Sequence, residues 1–256
     1  MTQTIEDFTQ ALEMERLSPR TIQVYVETVT SFHKQYGPEF NQSSYDAWKA
    51  QSGKWAPATV IQRMTAFSKY AKFLKVSVDL GEQPRQHKKI PLVVTAAQRD
   101  QIVAEMPNQR HRVAVWLMSE LGIRVSEACT LRWQDVDMSA RTVTITRKGG
   151  DRQVLPILGD VLMSAFSRVD RVNEFVLGGI SRAAVAMAVS RACKRCGVEA
   201  HPHAFRHGFS VSAAKKGVSI PAIQKMLGHS SPTTTNRYLA GLQMDADELR
   251  EAFGSW

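Results

Sequence analysis

Apolar residues recur at helical spacing from the start of the chain. Ile5, Phe8 and Leu12 follow one another three and four residues apart, which predicts a first amphipathic helix. A serine–proline pair at 18–19 supplies an N-cap and a first-turn proline for a second helix. That helix should end at the glycine–proline pair at 37–38, because neither residue type continues a helix well.

Two more helices are predicted before the pattern changes. Ser43 or Ser44 can cap a short third helix, and Pro57 opens a fourth. Residues 81–91 then combine a glycine, two prolines and clustered charge without apolar periodicity, which is typical of a linker. We therefore predict an N-terminal helical domain over residues 1–80.

Helical and strand patterns alternate after the linker. Thr95 and Gln98 form a capping-box pair, and residues 110–121 are apolar at helical spacing, so two helices are expected to precede the strands. Residues 142–146 and 153–157 are β-branched or alternating runs on either side of a glycine-containing turn. They predict an antiparallel hairpin.

Helices are predicted again over residues 181–196, 203–216 and 219–227. The expected fold is therefore mainly α with a small antiparallel β-sheet. It consists of an N-terminal helical bundle and a mixed α+β domain over residues 92–256, which ends in a tail helix.

The basic charge of the chain is concentrated in one region. The sequence holds 33 Lys+Arg against 24 Asp+Glu, a formal net charge of +9. Residues 1–53 carry four basic and seven acidic side chains (net −3), whereas residues 54–89 carry eight and two (net +6). Lys69, Lys72 and Lys75 recur every three residues, which predicts a basic row on the fourth helix. A polyanion-binding surface and an ordinary solvated face both fit this row.

Composition narrows the class of protein. With 43% hydrophobic residues, the chain can bury a large core. No apolar run approaches the roughly 20 residues that span a bilayer, and the acidic N-terminus is unlike a signal peptide, so we expect a cytoplasmic protein without membrane contact. Three cysteines cannot all pair within one chain, and in a reducing compartment they stay as thiols.

Five short motifs follow one another in a fixed order in the second domain. They are Gly122-Ile123-Arg124-Val125-Ser126-Glu127, Lys148 in the hairpin, His203-Ala204-Phe205-Arg206, Leu227-Gly228-His229, and Tyr238. In this order and spacing they resemble the tyrosine recombinase (phage integrase) family. The resemblance covers roughly residues 92–240 and implies that family's catalytic domain. The basic N-terminal helices are similar in layout to its core-DNA-binding domain.

Two residues depart from the family's common pattern. Phe205 stands where leucine is usual, which raises a question of packing. Gly208 stands where threonine or serine is common, which bears on how the helix contacts the DNA backbone. Neither departure removes a reacting group.

The residue types in these motifs suit phosphodiester transfer. That reaction develops charge on the non-bridging phosphate oxygens, and fixed donors must stabilise it. Arg124 and Arg206 can each present a planar fork of donors to those oxygens. His203 lies three residues before Arg206 and hence on the same helix face, so both side chains can reach one phosphate.

Tyr238 is the candidate nucleophile, because a tyrosyl phosphoester stores the energy of the broken bond and needs no ATP for reversal. Its pKa is ordinarily about 10, so arginine charge must lower it or a histidine must accept the proton. Lys148, at the tip of the hairpin, can protonate the leaving 5′-hydroxyl. By the resemblance, His203 acts in proton transfer at the tyrosine, His229 hydrogen-bonds the phosphate, and Glu127 orients the site.

Several assignments stay open at this point. Arg147 and Arg152 are rival cations for the role of Lys148, since both lie in the same turn. Glu127 can form a simple salt bridge with Arg124 in addition to an orienting role. His207 has no assigned role beyond packing or support of its neighbours.

Two potential metal sites fail on their chemistry. His203 and His207 have the spacing of a zinc-protease helix, but alanine stands at the position of the glutamate and Arg206 would place positive charge beside the ion. Cys193 and Cys196 lie near histidines, yet both fall on the apolar side of their predicted helix, where cysteine behaves as a small hydrophobe. We expect no metal and no cofactor.

The last residues predict a docking helix. Residues 244–256 place one apolar stripe at helical spacing, made of Leu249, Ala252, Phe253 and Trp256. The stripe can fold onto its own domain or dock on a neighbouring subunit. By the resemblance it links a homo-tetramer on DNA.

The predicted function is site-specific DNA recombination through a 3′-phosphotyrosyl intermediate, without metal or ATP. The implied partner is double-stranded DNA with specific core sites. The residues before Thr4 leave no room for the arm-binding domain of larger phage integrases, so a simple two-domain recombinase is expected. The alternatives are type IB topoisomerase-like cleavage and rejoining, and a catalytically inactive DNA-binding accessory protein.

Overall fold

The computed structural model describes residues 4–85, 91–147 and 150–228. The chain divides into two compact units, Met1–Lys88 and Lys89–Trp256, and the division falls within the segment that the sequence predicts as a linker. Lys148, His229, Tyr238 and the tail helix predicted over 244–256 lie outside the described residues.

Four α-helices form the described part of the first unit. They are α1 (Ile5–Met14), α2 (Pro19–Tyr36), α3 (Gln42–Ala50) and α4 (Pro57–Leu74), with a 3-10 turn at Ser52–Lys54 between α3 and α4. The predicted start of α2 is confirmed, because the Ser18 hydroxyl accepts a hydrogen bond from the Thr21 N–H. The predicted cap of α3 is wrong. Asn41 caps this helix, and the Ser44 hydroxyl accepts from the Asn41 N–H in a capping box.

Aromatic side chains fill the core of the first unit. Those less than 5% exposed are Phe8, Phe32, Phe40, Tyr45, Trp48, Phe67 and Tyr70. The rings of Phe40 and Phe67 stack with centroids 5.5 Å apart, so the loop before α3 packs directly on α4. Large aromatic side chains let a unit of this size bury enough apolar area to fold.

The predicted row of three lysines on α4 is interrupted. The helix ends at Leu74, and Lys75 follows in a left-handed conformation with φ 57°, so it does not continue the helical face. Lys69 forms an ion pair with Glu15, the residue after α1, whereas Lys72 is exposed near the end of α4. Contact of these lysines with DNA phosphate stays a prediction.

Seven α-helices and one small sheet make up the described part of the second unit. The helices are α5 (Ala96–Ala104), α6 (Gln109–Glu120), α7 (Val125–Thr130), α8 (Asp160–Ser167), α9 (Arg182–Cys196), α10 (Pro202–Lys215) and α11 (Ile220–Leu227). The capping box of Thr95 and Gln98 is confirmed at α5, as are the start of α9 after Ser181 and its end at Gly197. Three helices precede the strands where two were predicted. The sequence pattern missed α7 because six residues are too short to establish a period.

The sheet has three antiparallel strands in the order β1 (Val136–Asp137), β2 (Thr142–Thr146) and β3 (Arg152–Pro156). The hairpin prediction is confirmed, with Thr146 paired to Arg152 next to the turn. The predicted bounds of β3 are one residue late. Ile157 lies beyond the strand, buried, and its N–H donates to the carbonyl of Arg141.

Both departures from the common family pattern have a packing explanation. Phe205 is 1% exposed and belongs to the core of the second unit. A Cβ on Gly208 would lie 2.3 Å from the carbonyl oxygen of Val94, so this glycine lets the segment before α5 approach α10 closely. No helix within the described ranges is long and apolar enough to cross a membrane.

Candidate active site

The end of α6 positions the first arginine of the motifs. Gly122 follows the helix with φ 63°, and a Cβ at this position would lie 2.5 Å from Phe209 and 2.8 Å from Leu227, so only glycine fits. The tight turn leads to Arg124, which is the N-cap of α7. The geometry explains why a glycine stands two residues before Arg124.

Glu127 and Arg124 form one hydrogen-bonded unit. The Arg124 backbone N–H donates to Glu127 Oε2 over 2.7 Å, and Arg124 Nη1 donates to Oε1 over 2.8 Å. The carboxylate therefore fixes both the backbone and the guanidinium of Arg124. The salt bridge that the sequence left open is present, and it is compatible with an orienting role.

Arg206 lies deeper, on α10. The residue is 2% exposed, Nη1 donates to the carbonyl of Gly122 over 2.6 Å, and Nη2 donates to the carbonyl of Leu227 over 2.7 Å. Both acceptors lie at C-terminal ends of helices, where the helix dipole favours positive charge. Arg206 thus joins the end of α6 to the end of α11, and its Nη1 lies 4.0 Å from Glu127 Oε2.

The structure separates the two rival cations of the hairpin. Arg152 is exposed and pairs with Asp135. Arg147 is only 8% exposed, and its Nη1 donates to Glu127 Oε2 over 2.8 Å. The sequence offers Arg147 only as a substitute for Lys148, and no local pattern marks it as a partner of Glu127.

Three guanidiniums and one carboxylate, those of Arg124, Arg147, Arg206 and Glu127, give this cluster a net charge of +2. Burial alone would raise the pKa of Glu127, but the hydrogen bond from the Arg124 N–H and the charges of Arg147 and Arg124 outweigh burial and hold the pKa below its usual range. The Arg124 side chain is 32% exposed, against 3% for Arg206. An anion from solvent therefore meets Arg124 first.

Three histidines lie beside the arginine cluster. The ring centroids of His201, His203 and His207 are 6.4 to 6.5 Å apart, and the rings of His203 and His207 stack. His203 keeps contact with solvent, yet desolvation by the surrounding protein, followed by the electrostatic effect of the neighbouring His201, Arg206 and Arg124, lowers its pKa. A histidine with a lowered pKa is neutral at pH 7 and can accept a proton.

The cysteines pack as apolar side chains. Cys193 is 5% exposed within the core, where burial raises the pKa of its thiol, and Cys196 donates to the carbonyl of Ala192. Within residues 4–85, 91–147 and 150–228, no group of three or more His, Cys, Asp or Glu side chains is placed to hold a metal ion.

Segments that are distant in sequence thus meet in one place. Gly122 and Arg124, His203 and Arg206, and Leu227 are brought together by the ends of α6, α10 and α11. Such a cluster offers fixed guanidinium donors and a neutral imidazole to a phosphodiester. Lys148, His229 and Tyr238 fall outside the part of the chain that the structure describes.

Comparison with known proteins identifies the family. The model of the "Phage integrase family" matches residues 93–244. The tyrosine recombinase XerA of Thermococcus kodakarensis is 28% identical over an alignment of 269 positions. The alignment covers 98% of this chain and 94% of that protein.

Solved structures show the same fold. A lambda integrase dimer bound to a COC′ core site matches with a TM-score of 0.75 at 16% identity, over 94% of this chain and 78% of the other. XerH site-specific recombinase bound to palindromic difH substrate matches with a TM-score of 0.70 at 17% identity, over 99% and 85%. Since the family model spans more than half of the chain and the relative matches nearly all of it, this chain belongs to the phage integrase family and is a site-specific DNA recombinase of the tyrosine type.

Proposed function

We propose that the protein cuts and rejoins DNA strands at specific core sites through a 3′-phosphotyrosyl intermediate on Tyr238. The observation that carries this proposal is the convergence of Arg124 and Arg206 at the buried carboxylate of Glu127, with His203 near enough for both guanidiniums to lower its pKa. A cluster of net charge +2 next to solvent suits a phosphodiester, whose non-bridging oxygens gain charge as the bond changes. Two fixed guanidiniums can supply this stabilisation by hydrogen bonding alone.

The reaction balances without a co-reactant. The Tyr238 oxygen attacks the phosphorus, the new O–P bond replaces the P–O5′ bond, and the 5′-oxygen leaves. In our proposal His203, whose lowered pKa keeps it neutral, accepts the tyrosine proton, and Lys148 gives a proton to the 5′-oxygen. His229 hydrogen-bonds the phosphate. Rejoining reverses these steps with the 5′-hydroxyl of another strand as nucleophile.

The two alternatives are less well supported. Burying three guanidiniums around a single carboxylate lowers the stability of the protein. An inactive accessory protein would therefore gain nothing from such a cluster. A topoisomerase-like enzyme uses the same chemistry but rejoins the same strand. Exchange between two differently labelled duplexes distinguishes recombination from relaxation alone.

The experiment that tests the proposal captures the covalent intermediate. A library of duplexes with randomised arms and a nick near the centre is incubated with the full chain, and DNA that stays attached in detergent is sequenced. We expect a defined core sequence, and we expect the attached nucleotide on the tryptic peptide that contains Tyr238.

A synthetic nicked duplex of the recovered sequence then provides the control. Tyr238→Phe should bind this duplex as the wild type does and form no adduct, because the nucleophilic oxygen is gone. The absence of a wild-type adduct, or an undiminished adduct with Tyr238→Phe, would rule out the proposal.

We also propose that residues 244–256 join subunits of a tetramer on DNA. The support is their apolar stripe together with the solved structures of lambda integrase, which include a tetramer bound to a Holliday junction. One chain of that structure is similar in fold to this chain, with a TM-score of 0.72 at 16% identity.

Deletion of residues 244–256 tests this arrangement. Because the stripe is proposed to contact a neighbouring subunit, the shortened chain should bind a single core site with unchanged affinity and lose cooperative assembly of two sites. Gel-shift titration on duplexes with one and two sites measures both properties. Unchanged pairing of two sites would contradict the proposal.

A further inference from the structure

Arg147 is a buried cation that has no role in the reaction proposed above. It follows β2 at the turn end of the β2–β3 hairpin and is 8% exposed. Each of its three nitrogens donates to a different partner. Nε donates to Gln153 Oε1 over 2.9 Å, Nη1 to Glu127 Oε2 over 2.8 Å, and Nη2 to the carbonyl of Met226 over 2.5 Å.

The position of Arg147 is fixed from two sides. Gln153, across the hairpin, donates its amide to the carbonyl of Lys225, so the turn end of the hairpin and the end of α11 are joined twice. Gly228 has φ 63°, and a Cβ there would lie 2.8 Å from Arg147 Nε. The guanidinium therefore fills the space that a side chain at position 228 would need.

Glu127 poses an electrostatic problem for a phosphate site. Its carboxylate lies 2.8 Å from Arg124 Nη1 and 4.0 Å from Arg206 Nη1, so it competes with an incoming phosphate for the same two guanidiniums. A carboxylate beside a phosphate also repels it. The ion pair with Arg147, in which both side chains are 7% exposed or less, offsets that negative charge inside the protein.

We infer that Arg147 is a positioning residue of the cleavage reaction, which balances the charge of the Glu127 carboxylate so that Arg124 and Arg206 act on the DNA phosphate. The inference rests on the proposed function and adds a residue to it. Arg147 acts through Glu127 and does not itself need to touch the DNA. Its partners Glu127 and Met226 are 20 and 79 residues away in sequence.

A double-mutant cycle between Arg147 and Glu127 tests the inference. The single-turnover rate of adduct formation is measured on the nicked core-site duplex at saturating protein, and the dissociation constant for DNA is measured separately. Arg147→Met should slow adduct formation about 10- to 100-fold with little change in DNA affinity. In a Glu127→Gln background the same change should cost less than about threefold, because the charge that Arg147 balances is gone.

A conservative variant separates charge balance from packing. Arg147→Lys restores a positive charge opposite Glu127 but cannot make the three separate hydrogen bonds. It should recover most of the rate that Arg147→Met loses. Arg152→Met, which removes the exposed arginine of the same hairpin, is the matched control and should react within about twofold of the wild type.

Each outcome supports or overturns the inference. A wild-type rate for Arg147→Met, additive losses in the cycle, or an Arg147→Lys rate as slow as that of Arg147→Met overturns it. If Arg147→Met does not fold, the chain with both Arg147→Met and Glu127→Gln is used, because it lacks both buried charges. A rate more than about threefold below that of Glu127→Gln alone would then overturn the inference. Absence of a wild-type adduct would instead refute the proposed function.

Discussion

Arg206→Met should slow formation of the covalent adduct by about 10²- to 10³-fold, the usual loss when one fixed donor to a transition-state oxygen is removed. The guanidinium is buried, and its two hydrogen bonds to Gly122 and Leu227 hold it rigidly under the site. A donor that is already fixed needs no reorganisation when charge develops on the phosphate. Methionine is similar in length to arginine but has no hydrogen-bond donor, so the lost stabilisation of the phosphate should appear as a slower rate of adduct formation.

The same substitution should lower stability as well. Two buried carbonyls lose their donor, and each costs about 1 to 3 kcal/mol of unfolding free energy. Urea denaturation measures this loss, and single-turnover cleavage at saturating protein measures the rate of the folded fraction. Arg206→Lys keeps the charge without the planar fork and should also be slow.

Arg195→Met is the matched control for Arg206→Met. Arg195 likewise donates to a backbone carbonyl, that of Glu105, but its side chain is 46% exposed on α9. Exposed pairs contribute about 0 to 1 kcal/mol, so both rate and stability should stay close to the wild type. A folded Arg206→Met chain that forms the adduct at the wild-type rate would remove Arg206 from the proposed site.

Glu127→Gln should lower the free energy of unfolding at pH 7 by about 3 to 5 kcal/mol, the usual cost of removing one partner from a buried ion pair. The amide leaves the buried guanidinium of Arg147 without its counter-charge and weakens the hold on Arg124. Urea denaturation measures the difference. Glu105→Gln, in an exposed pair with Arg195, is the control and should change stability by less than about 1 kcal/mol.

The pH dependence of that difference has a definite sign. The pKa of Glu127 is lower in the folded protein than its unfolded value of about 4.3. Its contribution is therefore fully present above the unfolded pKa and is lost as the pH falls through the folded pKa. The gap in stability between the wild type and Glu127→Gln should thus narrow only below about pH 4.3. A gap that is constant from pH 7 to pH 3 would contradict this account.

Local signals in the sequence predict most of the helices correctly. Caps act over three or four residues, so Ser18, Thr95 with Gln98, Ser181 and Gly197 mark real helix ends. The errors occur where two local signals compete. Ser43 and Ser44 stand close to Asn41, and the asparagine provides the cap while Ser44 takes the third position of the capping box.

Length and helix ends explain the other errors. The six residues of α7 carry no complete period, so no apolar pattern predicts it. Lys75 follows its predicted row in spacing, but the helix ends one residue earlier and the left-handed conformation directs the chain away. A spacing argument holds only while the helix continues.

The order and spacing of the motifs are visible along the chain, so the amino-acid sequence is enough to name the residue types that we propose for the phosphate site. How these residues share charge follows from the folded structure alone. Arg147 and Arg152 flank the same turn, yet one is buried against Glu127 and the other pairs with Asp135 at the surface. The burial of Arg147 depends on contacts with distant segments, such as that of Met226, 79 residues away, and no local pattern encodes such contacts.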